Sequence, residues 1–158
     1  MLLAVFSDSH GRPEAMRRAV EAHRPDQIVF LGDGVRDAEG VRRSFPEIPM
    51  IVLRGNCDWD ARGVDESILF ELEGVRIFAA HGHRHGVKMD RDVFANSVCC
   101  SGSKLGLYGH THRARIEQLD GVTLMNPGSV GDVVSPTYGL VTIGGGQFEC
   151  QICDAGKL

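Results

Sequence analysis

Five short apolar runs, each ending abruptly beside a glycine, carboxylate, amide or imidazole, constrain this chain more than any other feature. They are LLAVF (2–6), QIVFL (27–31), MIVL (50–53), VRIFAA (75–80) and KLGLYG (104–109). Runs this short, most of them rich in β-branched or aromatic residues, read as buried strands rather than helices. Amphipathic segments separate the first three. Pro13 can open a helix over PEAMRRAVEAHR, where its missing N–H costs nothing and Ala15, Ala19, Val20 and His23 share one face. Asp37 is placed to cap a second, short helix running through Ser44. The chain therefore opens as β-α-β-α-β.

Beyond residue 60 the pattern changes to hairpins. Strands flank Glu73-Gly74 in SILFELEGVRIFAA, Asp120-Gly121 separates RARIEQL from VTLM, and Gly144-Gly145-Gly146 marks another turn. Residues 90–101 predict the remaining helix, although Cys, Ser and Asn are indifferent helix formers. The expected fold class is α/β: two mixed β-sheets packed face to face as a sandwich and flanked by helices. A chain of 158 residues fits one domain, 1–158, able to bury a core without disulfides or a structural metal.

Charge and cysteine usage narrow the function classes. A formal net charge of −4 disfavours an extended nucleic-acid partner, which needs clustered Lys and Arg, so an anionic substrate requires local positive charge. The apolar run before Asp8 is too short for a signal peptide or a membrane span, which makes the cytoplasm the expected location. Five cysteines are an odd number and Cys99-Cys100 are adjacent, an arrangement that suits reduced thiols.

The residues just beyond the strands carry the chemistry. LLAVF leads to Ser7-Asp8-Ser9-His10, QIVFL to Gly32-Asp33, MIVLR to Gly55-Asn56, VRIFAA to His81-Gly82-His83, and KLGLY to Gly109-His110-Thr111-His112. In sheets with helical crossovers, ligands collect outside the carboxyl ends of strands. Two Asp, one Asn and four His would offer seven oxygen and nitrogen ligands without a thiolate, a set suited to two transition-metal ions. The D-x-H and H-x-H spacings place alternate side chains on one face of extended backbone. Neither spacing is specific alone, but the whole set in this order is.

DSHG at 8–11, GD at 32–33, GNCD at 55–58, HGH at 81–83, GHTH at 109–112 and NPGS at 126–129 together resemble the calcineurin-like metallophosphoesterase superfamily, in particular its small single-domain phosphodiesterase branch. The resemblance implies a two-sheet sandwich with a dinuclear site. Asp8, His10 and His112 would hold one metal, Asn56, His81 and His110 the other, and Asp33 would bridge them. The implied cofactors are two divalent transition-metal ions, manganese first, with iron, nickel, cobalt and zinc also compatible with N/O ligands. Such a centre implies in-line attack on phosphorus by a metal-bridging hydroxide, with Asn56 also meeting the phosphate. Gly32, Gly55, Gly82 and Gly109 would permit close backbone approach. The expected activity is hydrolysis of small phosphate diesters, with a homo-oligomer left open. A phosphomonoesterase is one alternative, and a non-catalytic retromer-like binding scaffold on the same fold is another.

Cys57 marks a departure. Many relatives place histidine after this asparagine, where it can protonate the leaving oxygen, and cysteine is a much poorer donor. A nucleophilic Cys57 lacks an activating base not already committed to metal. His83 is the candidate replacement donor, and orienting His81 is its equal alternative. Asp58 is expected to orient a ligand or close its turn, and Asn126 to contact phosphate, support a ligand or simply shape the NPGS turn. Cys150 and Cys153 match C-x-x-C, but one pair in a last strand cannot complete a zinc site. His23 and His85 read as packing or solvent-side residues. Arg17-Arg18 and Arg42-Arg43 read as solvated helix faces, while Arg36 and Arg54 lie just after ligand loops and could meet a phosphate.

Overall fold

Alternating apolar strands and amphipathic segments build the first third of the chain. β1 (Leu2–Phe6), α1 (Glu14–His23), β2 (Gln27–Phe30), α2 (Val35–Ser44) and β3 (Met50–Val52) succeed one another in a computed structural model that describes residues 1–158. α1 buries Ala15, Met16, Ala19 and Val20, which recur on one helical face. Pro13 stands at its cap rather than as its first residue, so the helix begins one residue later than expected. α2 departs further from expectation: Gly34 is its cap and Asp37 lies inside the first turn, so Asp37 is not the capping residue. The first N–H groups of α2 find their acceptor elsewhere, in the Asp58 carboxylate.

The remainder contributes β4 (Ser67–Leu72), β5 (Val75–Ala80), a 3₁₀ turn at His83–His85, α3 (Asp92–Cys100), β6 (Leu105–Tyr108), β7 (Arg115–Leu119), β8 (Val122–Asn126), β9 (Thr137–Gly144) and β10 (Gln147–Asp154). Three hairpins turn at Glu73-Gly74, Asp120-Gly121 and Gly145-Gly146, with both central residues at positive φ in each. That backbone matches the right-handed twist of the flanking strands.

Two mixed five-stranded sheets result, ordered β10-β9-β1-β2-β3 and β4-β5-β6-β8-β7. Within them β1-β2-β3 run parallel, as do β5-β6-β8. Leu3, Val5, Val29 and Val141 from the first sheet pack with Ile77, Leu105, Leu107 and Met125 from the second, and these contacts form the central layer. Outer layers lie beneath α1 and α2, around Met16, Val20, Phe30 and Val41, and beneath α3, around Phe94, Val98 and Leu124. Burying these side chains is the dominant favourable contribution to folding. No helix is long and apolar enough to cross a membrane.

All five cysteines are free. Cys153 packs against the layer under the helices and Cys150 against the central layer, so the two thiols occupy opposite faces of β10 and cannot share a metal. His23 bonds the Tyr138 hydroxyl at 2.7 Å, and His85 meets Phe94 edge-on, which makes both packing residues.

Candidate metal centre

Parallel pairing gathers the carboxyl ends of six strands. Asp8 and His10 come after β1, Asp33 after β2, Asn56 after β3, His81 after β5, His110 and His112 after β6, and Asn126 ends β8. Asp8, Asp33, His10, His110 and His112 all adopt positive φ, at 57°, 60°, 45°, 68° and 59°. The left-handed region costs a non-glycine residue roughly 1 kcal/mol or more. The other three non-glycine residues at positive φ, Arg24, Glu73 and Asp120, sit at a helix end or a hairpin tip, where such geometry is routine. Five strained positions gathered at the strand ends of the two sheets therefore mark a candidate functional centre.

Two ligand groups meet there. Asp8, His10 and His112 bring one donor atom each within 4.8 Å of one another, and Asp33, His81 and His110 do the same. His112 Nε2 lies 3.2 Å from Asp8 Oδ1 and also 3.2 Å from His10 Nε2. Asp33 Oδ2 lies 3.4 Å from His81 Nε2 and 4.0 Å from His10 Nε2, between the two groups. Asp8 Oδ1 and His81 Nε2 are buried with no hydrogen-bond partner. Orphaned polar atoms of this kind are costly unless something else satisfies them, and a cation in each group does so. The donor set thus fits a pair of divalent metal ions.

Electrostatics prepare the set. Burial alone would raise the Asp33 carboxyl, but His81 and the Cys57 N–H outweigh it and hold Asp33 well below the usual carboxylate range. Burial would lower His81, yet the Asp33 carboxylate 3.4 Å from its Nε2 and the charge of Asp8 raise it instead. Its Nδ1 faces the Leu31 carbonyl at 2.8 Å, which turns Nε2 toward the centre. His110 moves the other way, down to about 4, through burial and the neighbouring charges of His81 and Lys88. It is neutral at pH 7 and ready to donate a lone pair.

The supporting shell contains residues that motif reading weighted too little. Asp58 accepts from the N–H groups of Asp33 at 2.7 Å, Gly34 and Val35 at 2.9 Å, and Gly55 at 2.8 Å. One buried carboxylate therefore caps α2 and ties the loop after β2 to the loop after β3. The loops approach so closely that a Cβ on Gly55 would collide with Asp33 Oδ1. Asp37, expected as a cap, instead accepts from Ser9 Oγ at 2.6 Å and the Gly11 N–H at 2.8 Å, bracing the loop that carries Asp8 and His10. Ser129 donates to the Asp8 carbonyl at 2.7 Å, a role the NPGS turn did not reveal. Ser7 and the His110 N–H both donate to Asp8 Oδ2, which points Oδ1 at the histidines.

The remaining candidates occupy varied positions. Asn126 is fully buried, and its Nδ2 donates to the Gly109 carbonyl at 2.9 Å and to Thr111 Oγ1 at 3.0 Å. It supports the His110–His112 loop, as one of its expected roles would have it. Asn56 is exposed, and its Nδ2 donates to Cys57 Sγ at 3.4 Å rather than to either histidine group. Cys57 Sγ falls within 4.8 Å of donors from His10 and Asp33. Burial and the Asp33 carboxylate push its thiol up to about 11, so it is not the thiolate a nucleophile requires. His83 lies at the rim, its ring centroid 5.4 Å from that of His81, and Nε2 is 3.9 Å from Glu66 Oε1. Burial and the His81 charge lower its pKa. Arg54 pairs with Glu66 at 2.7 Å and Arg36 pairs with Asp60, so both guanidinium groups already have carboxylate partners.

Known proteins resemble this chain in sequence and fold. Residues 1–146 match the family model of the calcineurin-like phosphoesterase superfamily domain. Phosphodiesterase YfcE of Escherichia coli K12 is 30% identical over 158 residues, covering 82% of this chain and 79% of its own. A predicted phosphoesterase from Streptococcus pneumoniae superposes with a TM-score of 0.81 at 22% identity, covering 98% of this chain and 90% of its own. Vps29 from Entamoeba histolytica, in a structure with Zn2+, superposes at 0.78 with 20% identity, covering 98% of this chain and 99% of its own. The last two show a shared fold.

Removing the Asp58 carboxylate isolates the contribution of the shell. Asp58→Ala leaves four buried N–H groups without an acceptor, and the loss of about 2–4 kcal/mol should appear as a lower urea midpoint. Metal affinity should fall with it, by about 10- to 100-fold in a calorimetric titration of the folded variant.

Proposed function

Because the chain belongs to the calcineurin-like phosphoesterase superfamily, we propose that it is a metal-dependent phosphodiesterase that hydrolyses small phosphate diesters at a dinuclear centre. The observation that carries this reading is the pair of ligand groups with Asp33 between them, each containing a buried, unpartnered donor atom. Asp8, His10 and His112 would hold one ion, and His81, His110 and Asn56 the other, with Asp33 contributing to both. When bound, two such ions supply Lewis acidity to the phosphoryl oxygens and make hydroxide available at neutral pH for in-line attack on phosphorus. Manganese is the metal we assign first, and iron, nickel, cobalt and zinc suit the same donors.

The chain's own residues do the rest. Backbone groups hold Asp33 and His81, which fixes the ligand atoms that these two side chains would offer to the ions. Asn56, exposed beside the centre, supplies a neutral amide to a phosphoryl oxygen. Because Cys57 remains a neutral, weakly donating thiol, it cannot deliver the proton that a basic leaving group needs. We therefore assign diesters with good leaving groups over monoesters. Five free thiols suit a cytoplasmic reaction, carried by one domain over residues 1–158.

A metal-stripped sample reloaded with single metals should hydrolyse a p-nitrophenyl diester faster than the matched monoester, manganese best. Asp8→Asn or His110→Ala should lower metal content and activity together. A strong monoester preference would overturn the substrate class, and no hydrolysis of either ester with any metal would favour the scaffold reading. Cys57→His should raise monoester turnover by about 10-fold or more if the missing acid is the cause of the preference.

His83 is the imidazole nearest the two groups without a place in either, and we assign it partial proton donation to the leaving group, an incomplete substitute for the acid that Cys57 does not supply. Its lowered pKa makes this a contribution that weakens as pH rises through that value. His83→Gln should slow an alkyl diester more than a p-nitrophenyl one, because only the alkoxide needs the proton. Equal slowing of both would assign His83 to orientation of His81.

A further inference from the structure

A second cleft opens beside the candidate centre, and none of the ligand residues lines it. It encloses about 360 Å³, with Tyr108 and Val87 buried at its base and Lys88, Arg91, Arg113 and Arg115 around it. Thr111 lines the same cleft and lies between His110 and His112 in the chain, so the cleft begins one residue from two candidate ligands. Four cationic side chains face a single paired carboxylate, Glu117, which meets Arg91 at 3.2 Å and Arg115 at 2.9 Å. Glu117 holds those two guanidinium groups in place and neutralises only part of their charge. Lys88 and Arg113 are exposed and make no ion pair, and the Lys88 charge reaches both His110 and His112.

Such a concentration of charge needs a reason in a chain of net charge −4. Like charges crowded into one concave site repel one another, and an anionic ligand relieves that repulsion. Planar guanidinium forks match phosphate oxygens, and a mobile ammonium adds a point charge. The cleft is compact rather than a continuous groove, which suits one terminal phosphate better than a strand of nucleic acid.

We propose that this cleft binds a second phosphate group of the substrate, so that the preferred diester carries a terminal phosphomonoester on the portion beyond the scissile phosphorus. Lys88 and Arg113 are the specificity-determining residues, and Arg91 and Arg115, held by Glu117, form the fixed part of the subsite. This proposal rests on the phosphodiesterase reading for its catalytic consequence, but not for binding.

The test uses the full chain loaded with manganese. Thymidine 3′,5′-bisphosphate should bind at least about 10-fold more tightly than thymidine 5′-monophosphate in calorimetry. The combined variant Lys88→Ala/Arg113→Ala should abolish that gain, so that the two nucleotides bind alike. In turnover, adding a 3′-phosphate to thymidine 5′-(p-nitrophenyl phosphate) should lower KM by a similar factor in the native chain only. Equal affinity for the two nucleotides, or a gain that survives the double variant, overturns the subsite. An oligothymidylate that binds more tightly than the bisphosphate, and loses that advantage in the double variant, replaces the small substrate with a nucleic-acid strand. Preserved bisphosphate preference without hydrolysis of either nitrophenyl ester would sink the phosphodiesterase reading and keep the subsite. Hydrolysis without preference would do the reverse.

Discussion

Four backbone N–H groups from two separate loops converge on the Asp58 carboxylate, and the geometry of the candidate centre depends on that convergence. A helix N-terminus presents unsatisfied N–H groups and partial positive charge, so α2 welcomes a carboxylate wherever in the sequence it comes from. Here it comes from the loop after β3, and the cap becomes a clamp. Asp33 is the last residue before α2's cap and Asn56 lies two residues before Asp58. The bond that starts the helix therefore also fixes two candidate ligands relative to each other.

The same economy holds on the other side of the centre. Asn126, at the end of β8, reaches across to the Gly109 carbonyl and Thr111, while Ser129 reaches the Asp8 carbonyl. Ligand loops from different sheets are thus joined by polar contacts outside the ligand set. This matters because five ligand residues occupy a backbone region they would not adopt unaided. The surrounding bonds over-determine those conformations, and the two-sheet core supplies the stability from which the strain is met.

Much of this was legible because the strongest signals were local. Short apolar runs with Asp, His or Asn just beyond them state both a strand and what stands at its end, and glycine-bearing turns locate the hairpins. Less legible was everything that acts across the fold. Asp37 looks like a helix cap from its neighbours, yet its partners are Ser9 and Gly11, on another loop. Asp58 reads from its motif as closing its turn or orienting a ligand, but not as the acceptor that caps α2, because three of its four donors lie 23 to 25 residues away in sequence. Arg54 and Arg36 lie just after ligand loops and so resembled phosphate contacts, but Glu66 and Asp60 claim them. The cationic cleft draws Lys88 and Arg91 from one segment and Arg113 and Arg115 from another, too dispersed to read as a patch.

The charge pattern ties these parts together. Two buried aspartates would repel an approaching phosphate. A pair of divalent ions held by the proposed ligand set would reverse the sign of that surface, because the set carries fewer negative charges than two ions would bring positive ones. Because a metal ligand has to be neutral imidazole, the raised pKa of His81 makes proton and metal competitors at that ring. His110, already neutral, gives up nothing. Metal loading and readiness for an anion are therefore one electrostatic event, and it takes place beside a cleft whose positive charge is permanent.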